Sequence, residues 1–313
     1  MCQCTYALDY AQLKRISDFN VGTWVIGDGN VNMTTTVCGA SADTDNRNAT
    51  EPPDTRYPYS FRMRDRGTPP GHYLYLNDDD TQTGNARIQM MFNHRDALEP
   101  TAYEALPDNV YDGHAHLGQF KNCKNGVNCE IQLLINSSEM ERAQAGDYTG
   151  NFRATLMGGT SGTNKKSKNF VATVTIADIV QISGLNIVDL GSYAGAPGDL
   201  VQESFFCVYS NNSLAGYNVL ISSSYQDAGG NFFIKDAAQT KSIPYGLQFK
   251  DDTLPGGGTS VGLTAISGIG DNTDANCSGT DNAKLTVTIL DADLQASSAD
   301  SYDDTLILLV SPE

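Results

Sequence analysis

The sequence predicts an all-β protein built as a tandem pair of β-sandwiches, and three observations carry that prediction. Apolar residues alternate with a period of two in several runs, such as Phe170-Val171-Ala172-Thr173-Val174-Thr175-Ile176 and Leu285-Thr286-Val287-Thr288-Ile289. Clusters of Gly, Asn, Asp and Ser punctuate these runs, and few segments hold a helical period. The chain also repeats itself: Cys123 and Cys277, like Tyr148 and Tyr302, are 154 positions apart. The starts of the halves echo each other too, with Ile16-Ser17-Asp18-Phe19-Asn20-Val21 resembling Ile182-Ser183-Gly184-Leu185-Asn186-Ile187. Matching first and last strands point to two copies of one β-domain.

Taken in order, Asp9 to Ile16 and Ser138 to Ala143 are each expected to form a helical turn or two at most. Ser60-Phe61-Arg62-Met63-Arg64-Asp65-Arg66 reads as a strand with its arginines on one face. The polar stretch Gly158 to Lys168 reads as a long hairpin loop, so that Asn169 to Ile176 pairs back beside Phe152 to Leu156. The linker then falls near Ala177-Asp178, giving domains 1–177 and 178–313. In the second domain, Ser204 to Tyr209 and Tyr217 to Ile221 read as a hairpin. Phe232 to Ile234, Ile243 to Phe249, Leu285 to Ile289 and Leu306 to Val310 follow as strands.

Composition narrows the function. With 20 Lys+Arg against 37 Asp+Glu, the 313-residue chain carries a formal net charge of −17. That disfavours nucleic acid or anionic lipid as a partner. No apolar run reaches the roughly 18 residues of a membrane span, so direct membrane insertion is not expected. Met1-Cys2-Gln3-Cys4 lacks the basic and apolar regions of a leader, and the chain reads as a mature form. Seven cysteines in a strand-rich chain point to an oxidising compartment, with about three disulfides and one odd thiol. Cys207–Cys277 is the clearest pair, because the second half contains only those two. Equivalence of the halves pairs Cys38 with Cys123 and leaves Cys129 for Cys2 or Cys4. The competing pattern is Cys4–Cys38 with a local Cys123–Cys129 loop.

Domain one has a strand after its Tyr148 segment, whereas the sequence after Tyr302 runs only to Glu313. If the copies share a fold, domain two lacks its final strand and exposes an apolar groove beside unpaired backbone groups. A strand donated by a partner chain is the physical remedy.

The run Ile182 to Gly191, then Phe206-Cys207-Val208-Tyr209-Ser210-Asn211, then Ala299 to Leu306, resembles the pilin domain of chaperone–usher fimbrial subunits. The closest groups are two-domain tip adhesins of the archaic Csu-like and alternate colonisation-factor-like types, whose pilin folds are similar to spore-coat-U domains. The resemblance covers Ile179 to Glu313 well, and the first half mainly at Ile16 to Trp24 and Cys123 to Leu156. It implies two immunoglobulin-like sandwiches, the C-terminal one an incomplete pilin fold. It also implies a periplasmic chaperone, an outer-membrane usher and an adjacent strand-donating pilin as partners, and a place at the fimbrium tip on the cell surface. The short Tyr6-Ala7-Leu8-Asp9-Tyr10 departs from the donor arm of ordinary pilins, as a terminal subunit would. In that reading the groove is lined by Ile182, Leu185, Leu306, Leu308 and Val310, with Ile307 and Leu309 facing outward or lying under a loop.

Two receptor-binding surfaces are candidates in domain one. Arg62, Arg64 and Arg66 have the geometry to hold sialylated or sulfated host glycans by bidentate hydrogen bonds. The alternative is a solvated face neutralised by Asp78-Asp79-Asp80. Tyr103, Leu106, Val110 and Tyr111, in the loop Leu98 to Tyr111, are candidates for docking on hydrophobic or abiotic surfaces; the alternative is that they cap the core. His114-Ala115-His116, with His72 and His94, lacks an identifiable third ligand and reads as ordinary surface histidines, so no metal or cofactor is expected. No catalytic motif appears, and an enzyme is not expected. The rival readings are a structural two-domain pilin or coat subunit without a receptor, and a stand-alone lectin-like sandwich.

Overall fold

The computed structural model describes residues 10–42, 56–67, 71–96, 102–112, 116–118, 126–159, 162–212, 216–252, 256–298 and 300–313. It divides into two compact units, Met1–Ala177 and Asp178–Glu313. Both are built of β-sheets around their own apolar cores.

The strands of the first unit are β1 (Tyr10–Lys14), β2 (Phe19–Trp24), β3 (Val31–Ala42), β4 (Pro58–Asp65), β5 (Tyr73–Leu76), β6 (Arg87–Gln89), β7 (Met91–Asp96), β8 (Glu104–Ala105), β9 (His116–Leu117), β10 (Cys129–Ile135), β11 (Gly146–Gly158) and β12 (Asn164–Ile176). Helix α1 (Ser137–Glu141) lies between β10 and β11. One sheet runs β1-β3-β10-β7-β8 and the other β2-β12-β11-β4-β9, with β5 and β6 joined at the side. Buried residues alternate with more exposed ones along β1, β4 and β7, as period-two patterning requires. Phe92 of one sheet meets Phe19, Phe152 and Phe170 of the other edge-on or tilted at 5.0–6.1 Å.

The second unit contains β13 (Val180–Ser183), β14 (Leu200–Ser210), β15 (Tyr217–Ser223), β16 (Phe232–Asp236), β17 (Ser242–Asp251), β18 (Thr259–Ser260), β19 (Ile266–Gly268), β20 (Ala283–Ile289), β21 (Tyr302–Asp303) and β22 (Leu306–Pro312), with α2 (Asp291–Ala296) before β21. One sheet orders as β13-β14-β20-β17-β16-β21, with β18 beside β17, and faces a three-stranded sheet β19-β15-β22. The Cys207–Cys277 disulfide ties β14 to the loop before β20 across 70 positions.

The repeat is gapless from β10 and β20 through the strands β11 and β22. β10 and β20 are each seven residues long at the 154-residue offset, and α1 and α2 start at equivalent positions. The one core side chain of each helix, Met140 or Leu294, is also equivalent. After each helix a tyrosine turns its hydroxyl back to the carbonyl four residues upstream: Tyr148 to Gln144 at 2.9 Å and Tyr302 to Ser298 at 3.1 Å. This is the tyrosine corner of immunoglobulin-like sandwiches, present twice.

Several local expectations are corrected. Asp9 to Ile16 is not a helical turn: Tyr10–Lys14 is β1, because Ala11 and Leu13 point inward at a period of two while its backbone pairs with β3. The segments at Ser204 to Tyr209 and Tyr217 to Ile221 do not form a hairpin; β14 pairs with β13 and β20, and β15 with β19 and β22 on the opposite sheet. The stretch Gly158 to Lys168 is mostly strand. β11 and β12 stay paired out to Gly158 and Asn164, so the loop is far shorter than its polar composition implied.

Cys129 is also corrected: it is a free, fully buried thiol, which fits neither sequence pattern of disulfides. It occupies the place of Ala283 in the repeat and packs as a small apolar side chain, and burial pushes its pKa up to about 12. Cys38 is disulfide-bonded. Cys2, Cys4 and Cys123 lie outside the described residues.

The two tyrosine corners differ in burial, which sets their expected cost. Tyr148 is fully buried and donates to two carbonyls, of Asn85 and Gln144. Tyr148→Phe should lower stability by about 1–2 kcal/mol, since both acceptors lose a partner away from water. Tyr302 is half-buried, and Tyr302→Phe should cost under about 0.5 kcal/mol because solvent replaces the bond. Urea unfolding of the two variants measures both.

Candidate functional site

The two units differ most in what lies beside the strand that follows the tyrosine corner. In the first unit that strand is β11, and Phe152, Ala154 and Leu156 on it are all fully buried. β12 covers one edge of β11 antiparallel, in the register Tyr148↔Val174 and Phe152↔Phe170. On its other side β12 pairs in parallel with β2, Ala172 opposite Phe19 and Ile176 opposite Trp24. β12 therefore fills a slot between β2 and β11 and satisfies the backbone of both.

In the second unit the equivalents of Phe152, Ala154 and Leu156 are Leu306, Leu308 and Val310 on β22. These three pack against the core only as half-buried residues, beside Val180, Ile182, Val188 and Leu190. Ile307 and Leu309 face away and are 58% and 62% exposed. β22 pairs with β15 on one edge, and among the described residues nothing pairs with the other. The counterpart of β2 is residues 185–190, which form no strand. Phe19 is 2% exposed, whereas its counterpart Leu185 is 48% exposed and Ile187 is 95% exposed. Ile182 sits one turn earlier, on β13, paired with Val208. Both flanks of the slot are thus present, and the strand between them is not among the described residues.

The surface candidates of the first unit divide into separate places. On β4, Phe61 and Met63 point into the core while Arg62 is half-buried and Arg64 exposed. Arg62 stacks its guanidinium 4.7 Å above the Tyr111 ring, and its Nε is buried without a hydrogen-bond partner. Two residues missed in the sequence join this face: Arg153 pairs with Arg64 across β11, and Lys165 of β12 lies 6.0 Å from the Tyr111 ring. Their distance along the chain hid them; the hairpin β11–β12 brings them alongside β4. Among the described residues, Arg62, Arg64 and Arg153 form no ion pair.

Arg66 continues the ladder past β4, its N–H donating to the Asn151 carbonyl at 2.9 Å. β4 ends at Asp65, and Arg66 lines a shallow depression with Asp78, Asp80, Tyr75 and Asn151. The second candidate surface also separates. Leu106 is 2% exposed and belongs to the core, so it is not a surface residue. Its alternation with polar neighbours in a turn-rich stretch masked an inward-facing position. Tyr103 lies under the Arg95 guanidinium at 4.4 Å and donates to Glu130 at 2.9 Å, within the β7–β8 part of the other sheet. Val110 is 53% exposed. Residues 98–101 lie outside the described residues.

The histidines are corrected as well. His72, His94 and His116 are buried, not surface residues, and His114 lies outside the described residues. His94 projects inward from β7, and its ring stacks on Phe61 at 5.0 Å. Asp112 accepts the Phe61 backbone N–H at 2.6 Å with one carboxylate oxygen. Its other oxygen lies 3.0 Å from His116 Nε2 and 3.4 Å from His94 Nδ1. The His94 contact lacks hydrogen-bond alignment, and neither of its ring nitrogens has a partner although the side chain is fully buried. Leaving such a group unsatisfied costs about 1–3 kcal/mol. Burial holds His94 below the usual histidine range. Burial also acts on His116, but the Asp112 carboxylate outweighs it and raises that histidine.

His72 supplies a pH-dependent readout of the same core. Its Nε2–H donates to the Leu106 carbonyl at 2.9 Å, and its ring lies against Phe92 and Phe152. Burial lowers its pKa, with Asp108 and Asp65 opposing. The folded imidazole takes up its proton at lower pH than the unfolded one, whose pKa is about 6.5. Its contribution is therefore present above that pH and is lost as pH falls toward the folded value. Urea midpoints from pH 7.5 to 5 should fall for the wild type and fall less for His72→Gln. The difference isolates His72 from His116, which acts in the opposite sense.

No family model matches the chain, and no curated protein sequence matches it. Three solved structures are similar over nearly the whole length. The first is a chaperone–tip adhesin complex of CFA/I fimbriae, at TM-score 0.41 and 10% identity, covering 97% of this chain and 98% of that one. The second is the CsuC–CsuE chaperone–tip adhesion subunit pre-assembly complex of archaic Csu pili from Acinetobacter baumannii, at TM-score 0.45 and 9% identity, covering 96% and 99%. The third is the CupB6 tip adhesin of Pseudomonas aeruginosa, at TM-score 0.34 and 10% identity, covering 96% and 93%.

Proposed function

We propose that the chain is a fimbrial tip adhesin. Its second unit accepts a strand from a partner subunit, and its first unit attaches the fimbrium to an anionic surface ligand. The observation that carries the reading is the slot: β12 occupies it in the first unit, and both of its flanks are open in the second. A donor strand there would pair with β22, give residues 185–190 a partner, and cover Leu185, Leu306, Leu308 and Val310. A periplasmic chaperone holding the slot during export, followed by an adjacent pilin after passage through the usher, fits a surface that is unsafe when bare. The place of action in this reading is the tip of a cell-surface fimbrium.

Hydrogen exchange on the full chain tests the acceptor role. Amides of β22 and of residues 185–190 should exchange far faster than those of β11 and β2. A synthetic peptide with the sequence of residues 169–176, the strand that fills the first slot, is a suitable probe. Adding it should slow exchange in β22 and in 185–190 while leaving β11 unchanged. Equal protection of β22 and β11 in the free protein would remove the basis of the reading.

For the first unit, the Arg62, Arg64, Arg153 and Lys165 face favours a sialylated or sulfated glycan over an apolar surface. It concentrates positive charge on a chain whose net charge is −17. Arg64→Ala with Arg153→Ala should weaken binding to a sulfated glycan such as heparin about tenfold or more, with an unchanged fold by circular dichroism. Undiminished binding, or binding insensitive to salt, would move the attachment surface elsewhere.

A further inference from the structure

The buried group His94, Asp112 and His116 is not needed for strand acceptance or for the basic face. We propose that His94 Nδ1, Asp112 Oδ2 and His116 Nε2 form a site for one divalent transition-metal ion, zinc foremost, that staples the two sheets of the first unit.

Three potential ligand atoms converge there from three places in the fold. His94 comes from β7 in one sheet, His116 from β9 in the other, and Asp112 from the segment between β8 and β9. All three side chains are buried, and their ligand atoms lie within 4.8 Å of one another. The two separations from Asp112 Oδ2 are 3.0 and 3.4 Å. Zinc bonds of about 2.0–2.2 Å in a tetrahedron place donors about 3.3 Å apart, so those two need little movement. The separate pointer to a ligand is His94: it is fully buried, directed at the carboxylate, and without a hydrogen-bond partner at either nitrogen. A cation between the three atoms would satisfy its Nδ1.

The donor chemistry matches. Two neutral imidazoles and one carboxylate suit a borderline ion such as zinc, whereas calcium and magnesium favour sets made of oxygen. The other Asp112 oxygen accepts the Phe61 N–H, which orients the carboxylate as supporting hydrogen bonds do around bound zinc. A fourth position would fall to water.

The tag-free full chain, stripped with EDTA and desalted, is titrated with zinc chloride and separately with cobalt chloride as a visible probe. The expected result is one ion per chain, tetrahedral cobalt bands, and a rise in the unfolding midpoint of about 5 °C or more at a hundredfold excess over Kd. Both His94→Gln and His116→Gln should weaken binding at least tenfold, while His72→Gln should bind as the wild type does. If either cluster variant fails to fold, zinc K-edge absorption of the wild type decides, and it must show two imidazole ligands. Absence of stoichiometric binding, undiminished affinity in the variants, or a spectrum without imidazole would overturn the proposal.

Discussion

A strand edge in a sandwich must find backbone partners, and in this chain that requirement falls on the place beside β11 and β22. An N–H or C=O group left without a partner at the margin of an apolar core exposes both polar and apolar surface to misuse. The first unit meets the requirement internally. β12 returns from a short loop and lies between β2 and β11, so one strand completes two ladders and closes the core over Phe152 and Phe170. In the second unit the same positions are populated by similar side chains, yet Leu306, Leu308 and Val310 stay half-exposed. The absent ladder also explains why residues 185–190 form no strand although their apolar pattern matches β2: an edge segment without a partner has nothing to hold it extended.

The rest of each unit is shared machinery that holds the slot's flanks in place. β10 or β20 feeds a short helix, the helix buries one side chain, and a tyrosine corner aims the following strand across the sandwich. In the second unit the Cys207–Cys277 disulfide anchors β14, the strand on which β13 is built. The units also differ in what the first one adds to this frame. The first unit adds β4 to the outer edge of β11, which gathers Arg62, Arg64, Arg153 and Lys165. It also carries a buried group of His94, Asp112 and His116 contributed from both of its sheets.

Much of this was legible in the chain because strands write themselves locally. Period-two alternation marked Phe170 to Ile176 and Leu306 to Val310, and the constant spacing from Cys123 and Tyr148 to Cys277 and Tyr302 marked the repeat. Pairing partners were less legible, because alternation shows which face of a strand is apolar but not which strand lies beside it. That is why β14 and β15 read as a hairpin although they belong to opposite sheets. It is also why Arg153 and Lys165 could not be grouped with Arg64.

Burial of isolated polar or apolar residues in irregular segments was the least legible feature. Leu106 and the histidines sit among turn residues with no period to orient them, and only the closing of one sheet on the other made them interior. Cys129 likewise read as a disulfide partner by count, although its strand points it into the core as a counterpart of Ala283. The sequence by itself determined the fold class, the repeat and the alternating apolar faces, since those depend on side-chain order along a single strand. Tertiary structure alone decided which edges are paired, which charges share a face and which histidines meet a carboxylate, because those depend on distances between strands far apart in the chain.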